Sequence, residues 1–288
     1  MPLGLFELVV FVLGPAFLAG LAGSVLGIGG GVLLVPYLTL MPALRLPLPE
    51  AIATSLIGVI ATSSGAASVY VRDRLTNLRL GIFLEVATTL GAIVGAFAAV
   101  YFEPFVLEIL FGLVVVYAAV YMLWTREGAR ERAAIATEKT EPEAGLRLSG
   151  FYFDAEDQAV YRYRVVRPEV GFAVSAVAGG VSGLLGIGGG IIKVPAMNVL
   201  MRVPMKVAVA TSNFMIGVTA AAGAFIYYSR GLLDPSIAAM VIVGVFLGTT
   251  FGTRLLVRAP ARTVRFAFAI LLIAVGTAMI AAGLGWLS

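Results

Sequence analysis

Apolar and polar residues alternate along this chain in long blocks. Residues 5–41 form one apolar region, interrupted at 27–31 and marked by Pro15 and Pro36. Three unbroken apolar stretches follow at about 51–71, 79–101 and 105–124. Each supplies about the 20 residues that an α-helix needs to cross a hydrocarbon core of about 30 Å. The apolar texture stops over 125–168, and then the plan repeats, with an interrupted region at 169–201 and stretches near 206–229, 236–257 and 263–286. The pattern predicts an all-α polytopic membrane protein of two like halves, 1–124 and 169–288, joined by a polar insert at 125–168. At the N-terminus no basic segment precedes the apolar run, which reads as mature structure rather than a signal peptide.

The two interruptions are copies of each other. Residues 24–36 read SVLGIGGGVLLVP and residues 183–195 read GLLGIGGGIIKVP, with eight of thirteen positions identical. A second marker keeps the same order, Ala53-Thr54-Ser55 recurring as Ala210-Thr211-Ser212. A glycine in a helix interior costs about 1 kcal/mol relative to alanine, so four within five residues should break the helix. Non-helical backbone at membrane depth is tolerated only where protein buries it or where it lines a cavity. The piece after the first break, residues 32–41, is only about 15 Å long as a helix, half a bilayer at most.

Charge decides how the broken regions run. If each crosses the membrane once, Lys and Arg divide 12 to 7 between the two sides. If each turns at its glycines and returns, the loops at 72–79, 125–168, 202–206 and 254–265 share one side and hold 3, 8, 2 and 4 of the 20 Lys and Arg. The other side then keeps Arg45 and Arg230, and Lys193 lies inside a segment. A 17-to-2 split is what the positive-inside rule favours. The broken regions are therefore expected to be hairpins, the two halves to be inverted repeats, both termini to lie outside and residues 125–168 to lie in the cytoplasm.

Composition narrows the function. The chain is 60% hydrophobic and 12% charged, with a mean hydropathy of +1.01. It has no Cys and no His, which removes disulfides, thiolate metal sites and the commonest proton shuttle. With so few acid–base groups an intramembrane enzyme lacks a plausible catalytic pair. No cofactor motif stands out, no Gly-Lys-Ser/Thr follows either glycine run, and the basic loops reflect topology rather than nucleic-acid binding.

Within the insert, residues 126–144 read as a charged helical extension fading into a linker, and 146–153 with 159–166 as a β-hairpin around Asp154–Gln158. Tyr161 and Tyr163 are expected on one face, Arg162 and Arg164 on the other. A lone two-stranded hairpin is marginal in water, so it should pack on the bundle or on another subunit of a homo-oligomer.

The glycines are the first candidates for chemistry. Half-helices that start at Gly30 or Gly31, and at Gly189 or Gly190, aim unpaired amides and the positive ends of their dipoles at the turn. Two such ends make an anion site without a charged side chain, and a missing Cβ lets a ligand approach. The alternative is close helix packing, because Gly27/Gly31 and Gly186/Gly190 also have small-xxx-small spacing. Thr54, Ser55, Thr211, Ser212 and Asn213 can complete an anion's hydrogen bonding or simply bond their own helix. Lys193 and Glu85 are intramembrane charges and hence functional candidates. Lys193 suits an anion, and Glu85 is a candidate for pairing with Lys193, for coupling through a proton, or for snorkelling to the headgroups. Asn77 and Asp234, ahead of matching stretches, read as helix caps.

A duplicated LGIGGG…VP motif, each copy followed by Ala-Thr-Ser, in two apolar halves around a variable insert, resembles the TauE/SafE family of sulfite exporters. The resemblance covers about 10–124 and 170–286 and leaves the insert outside. It implies a multi-pass protein of the cytoplasmic membrane that moves sulfite, sulfonates or related organosulfur anions. By position it singles out Gly27, Gly29, Gly30 and Gly31 with Gly186, Gly188, Gly189 and Gly190. The function expected is thus a secondary transporter, an exporter, of a small anion by alternating access. A passive anion channel and a membrane sensor signalling through 125–168 are the alternatives. The partners expected are the anion and the lipid bilayer.

Overall fold

Proline marks where most of the long helices begin. Its fixed φ and missing N–H suit a first turn, where that N–H has no helical acceptor anyway. The computed structural model describes residues 9–124, 148–154, 159–256 and 261–286. Helix α1 (Gly14–Leu26) carries Pro15 in its first turn and is preceded by a π-helical turn, Val9–Leu13. Helix α2 spans Gly31–Leu40, α3 Leu48–Arg72 behind Pro47, α4 Leu78–Ala98 and α5 Pro104–Trp124. Strands β1 (Gly150–Asp154) and β2 (Ala159–Tyr163) follow, and then α6, Pro168–Leu185. Helix α7 (Gly190–Pro195) runs into a π-helical turn, Ala196–Leu200. The last three helices are α8 (Met205–Ser229, behind Pro204), α9 (Pro235–Leu256) and α10 (Ala261–Gly283).

Among the described residues six helices are long and apolar enough to cross a membrane: α3, α4, the Pro104–Tyr121 part of α5, α6, α8 and the Pro235–Arg254 part of α9. A lipid-facing stripe is plain in α4, where Ile82, Val86, Leu90, Val94 and Phe97 are all exposed at helical spacing. The expected charged helix at 126–144 lies outside the described residues. The strands are shorter than the alternating pattern predicts, because the flanking Leu148 and Val165 turn into the bundle instead of continuing the ladder. Asn77 and Asp234 do cap their helices: Asn77 accepts from the Leu80 amide at 3.0 Å and Asp234 from Ser236 at 2.7 Å.

Small residues set the helix contacts. Gly91 and Gly95 of α4 face the Ala176 and Gly180 carbonyls of α6, while Gly179 and Gly183 of α6 face the Thr88 and Ala92 carbonyls of α4. Likewise Gly244, Gly248 and Gly252 of α9 face the Leu13, Phe17 and Leu21 carbonyls along α1 and its leading turn. In both pairs residue numbers rise together, so the helices are parallel. By contrast, in α3 and α8 Leu56 meets Gly223 and Ser63 meets Gly217, and in α5 and α10 Phe105 meets Gly283 and Gly112 meets Gly276. Those two pairs are antiparallel.

The hairpin packs on one end of this bundle. Asn77 Nδ2 donates to the Leu148 carbonyl at 2.7 Å and to the Tyr163 hydroxyl at 2.8 Å, and the Val166 amide donates to the Met201 carbonyl at 3.2 Å. Leu148, Tyr152 and Val165 share one apolar cluster with Leu80, Leu84, Val194, Met197, Met201, Val203 and Val207. The loops at 73–77, 164–167 and 201–204 therefore meet at the same end. Arg230 lies at the far end of α8, its guanidinium 5.6 Å from the ring centre of Phe97 at the far end of α4.

Candidate functional site

Both glycine runs break their helices at the same place, although the cap before the restart is right-handed at Gly30 (φ −70°) and left-handed at Gly189 (φ 72°). Gly27 ends α1 and Gly186 ends α6 in the left-handed region, at φ 70° and 72°, where a side chain is strained. Helices α2 and α7 restart at Gly31 and Gly190, with Gly30 and Gly189 as caps. Leu33 and Leu34 donate to the Gly30 carbonyl, and Ile192 and Lys193 to the Gly189 carbonyl. Among the described residues the amides of Gly31, Val32, Gly190 and Ile191 have no backbone acceptor.

The two turns sit directly on each other. A Cβ on Gly31 would run into the Gly186 carbonyl oxygen, and one on Gly190 into that of Gly27. The serines of the repeated Ala-Thr-Ser marker close the same contact. Ser55 donates to the Gly186 carbonyl and Ser212 to the Gly27 carbonyl, each at 2.8 Å. Each half thus satisfies the carbonyl that the other half's left-handed glycine leaves free. Tyr70 bonds the Ser24 carbonyl and Tyr227 the Gly183 carbonyl, both at 3.0 Å, which ties the end of each long helix to the arm before the turn.

The remaining glycines are enclosed by protein too. Cβ positions at Gly27 and Gly29 lie 3.0 Å from Val209 and 3.2 Å from Ile216 and Val59. At Gly188 the neighbour is Val59 at 3.0 Å, at Gly30 the Ala19 carbonyl at 3.1 Å and at Gly189 the Ala178 carbonyl at 2.8 Å. The Cβ positions of these glycines thus meet backbone or the side chains of Val59, Val209 and Ile216.

The other candidates divide between two clusters. Asn213 lies at the turns, donating to the Ser24 and Val209 carbonyls at 3.2 Å, and its Oδ1 is buried with no partner. Thr54 Oγ1 and Ser182 Oγ are also buried without one. Thr211 accepts from the Asn77 amide at 3.0 Å and so links the marker to the cap that holds the hairpin. Lys193 and Glu85 form the second cluster, at exposures of 1% and 8%, so that Glu85 lies inside the protein instead of reaching out along its helix. Thr219 of α8 joins them, accepting from Lys193 Nζ at 3.4 Å and donating to Glu85 Oε1 at 2.8 Å. Thr88 donates to Oε2 at 2.9 Å and Thr89 to Oε1 at 3.1 Å. Thr88 and Thr89 follow Glu85 by three and four residues, a same-face spacing visible in the sequence. Thr219 and Ser182 carry no such signal.

A family model described as "Sulfite exporter TauE/SafE" matches residues 12–279. The chain belongs to the TauE/SafE sulfite exporter family. Its relatives include "Probable membrane transporter protein YunE" of Bacillus subtilis, 27% identical over 272 residues that cover 93% of this chain and 95% of the relative. A "Probable membrane transporter protein" of Xylella fastidiosa is 28% identical, covering 86% of this chain and 85% of its own. "Probable membrane transporter protein MamO" of Paramagnetospirillum magneticum is 26% identical over 92% of this chain but only 43% of its own length. No solved structure matches the chain. A family member with six membrane-length helices is a multi-pass membrane transporter.

Proposed function

We propose that this family member is a secondary transporter, an exporter, of a small anion such as sulfite, a sulfonate or a related organosulfur compound. It acts by alternating access around the paired glycine turns in the cytoplasmic membrane. The observation that carries this is the pair of touching helix starts whose amides have no backbone acceptor, set in a core that holds the fully buried Lys193. Backbone amides at a helix start favour negative charge, and Lys193 adds a full positive one. Buried, unpartnered oxygens on Thr54, Ser182 and Asn213 supply further polar groups.

Several contacts support an inverted-repeat plan. Corresponding helices α3 and α8, and α5 and α10, are antiparallel, as inversion requires. Because α1 and α3 both run parallel to α9, the intervening α2 runs back, which suits a hairpin at the first glycine turn. The hairpin insert gathers the basic loops at 72–79 and 202–206, which favours that end as cytoplasmic. The units of this plan are 1–124, 125–168 and 169–288.

The test is flux of labelled sulfite, methanesulfonate and thiosulfate into proteoliposomes holding the purified protein. Saturable flux with competition among these anions is the expected result. Absence of flux and binding for every anion would refute the proposal, and non-saturating conductive flux would favour a channel.

A further inference from the structure

We propose that Glu85 carries a proton that must bind together with the anion, so that transport of a singly charged anion is an electroneutral co-movement of one anion and one proton. This rests on the anion reading above and adds the coupling ion to it.

Two buried charges of opposite sign face each other through one hydroxyl. Lys193 comes from α7, directly after the second glycine turn; Glu85 comes from α4 and Thr219 from α8. Leu34 stands in the first half where Lys193 stands in the second, so the charge pair breaks the internal repeat. Packing glycines explain the repeated parts of the core, but packing calls for neither charge. A buried ion pair often stabilises less than apolar side chains of the same volume, and an intramembrane charge is costly.

Charge balance then fixes the order of events. With Lys193 protonated and Glu85 ionised the site is neutral. Adding an anion next to Lys193 would leave a net negative charge in a low-dielectric core, which is strongly unfavourable. Neutrality is restored if Glu85 takes up one proton from the aqueous phase that loads the site. One O–H bond forms at the carboxylate and is broken again when the anion leaves on the other side. The surroundings of Glu85 suit both states. The hydroxyls of Thr88, Thr89 and Thr219 donate to a carboxylate and can each turn to accept from a carboxylic acid.

Among the described residues, the other charged side chains of α4, α6 and α8 are exposed, unlike Glu85. Helix α6, packed along α4, carries Glu169 in its first turn, and α8 carries Lys206 in its first turn. Arg79 of α4 itself is exposed and sits near the loop end. The hydroxyls that bond the Glu85 carboxylate, of Thr88, Thr89 and Thr219, are uncharged.

The experiment uses the full chain in proteoliposomes, with methanesulfonate and thiosulfate as probes because both stay ionised from pH 5.5 to 8. Proton uptake is followed with a trapped pH dye, and the membrane potential is set with potassium and valinomycin. Three results are expected. Each methanesulfonate entering brings about one proton, its flux does not respond to the potential, and its apparent affinity weakens as pH rises. Glu85→Gln should bind anions with no pH dependence and move no protons. Saturable wild-type flux without proton uptake, or a Glu85→Gln protein that keeps the pH slope, would overturn the coupling while leaving the anion reading intact. The wild-type proton measurement decides the matter even if Glu85→Gln does not fold. Neither probe binding nor moving at any pH would overturn both.

Discussion

Adding one methyl group at Gly31 tests whether the centre of the molecule is a packed contact. The added Cβ would occupy the position of the Gly186 carbonyl oxygen, and Gly190→Ala would do the same to the Gly27 carbonyl. Neither neighbour is the end of a flexible side chain, so the two turns must move apart. Overpacking of this kind costs about 1–3 kcal/mol. Alanine returns about 0.4–1 kcal/mol by restricting the unfolded chain. A net loss of about 1–2 kcal/mol is expected for each substitution. Gly14→Ala is the matched control, since no atom lies within 4 Å of its Cβ position, and it should be neutral or stabilising. The double variant Gly31→Ala/Gly190→Ala should lose less than the sum, because separating the turns once makes room for both methyl groups. Thermal unfolding of purified protein in one detergent reads all four variants. If Gly31→Ala and Gly190→Ala melt at or above wild type, as Gly14→Ala should, the turns are not in backbone contact.

Other expectations follow from the same geometry. Ser55→Ala and Ser212→Ala each strand a buried carbonyl and should each cost about 1–3 kcal/mol in the same melting experiment, with neither much milder than the other. Asn77→Ala removes the bonds to Leu148 and Tyr163 together with a helix cap, and should raise trypsin cleavage at Arg162 and Arg164 well before the protein unfolds. Burial pushes the Tyr163 phenol from 10.0 to about 12, so its contribution to hairpin docking is fully present below pH 10 and is lost as pH rises through about 12. Hairpin proteolysis should rise over that window in wild type and not in Tyr163→Phe. Cysteines placed at Arg45 and Arg230 should react with an impermeant thiol reagent from one side of the membrane, and those at Arg74 and Arg202 from the other; labelling of Arg45 and Arg74 from the same side would refute the hairpin topology.

Helices and breaks were legible because their causes are local. Apolar length sets the spans, proline sets their starts, and four glycines in five residues end a helix wherever they stand. What fills the space beside a glycine is not local. Gly31 lies against the Gly186 carbonyl only because two turns 159 residues apart in the repeat come together, whereas the sequence points first to a ligand and only then to close packing. The polar cluster divides along the same line. Thr88 and Thr89 follow from helical spacing to Glu85, whereas Thr219 depends on where α8 crosses α4. The hairpin's alternation puts Tyr161 and Tyr163 on one face, but does not mark Asn77 as the residue that anchors Tyr163.

The interlocked contacts also constrain how a transporter of this shape can move. Helix α4 belongs to the first half and α6 to the second, yet each places two glycines against the other's backbone. Helices α1 and α9 are joined across the halves in the same manner. A hinge that swung residues 9–124 away from 168–283 would have to open both seams at once, and backbone-on-backbone contacts have no flexible side chains to stretch across the gap. A hinge that kept α4 with α6, and α1 with α9, would open neither. Such a hinge would still have to part the two glycine turns, where Gly31 lies against the Gly186 carbonyl and Gly190 against the Gly27 carbonyl. The packing therefore sets the turns, rather than the two glycine seams, as the contact that any movement of the mixed pairs α4–α6 and α1–α9 has to break.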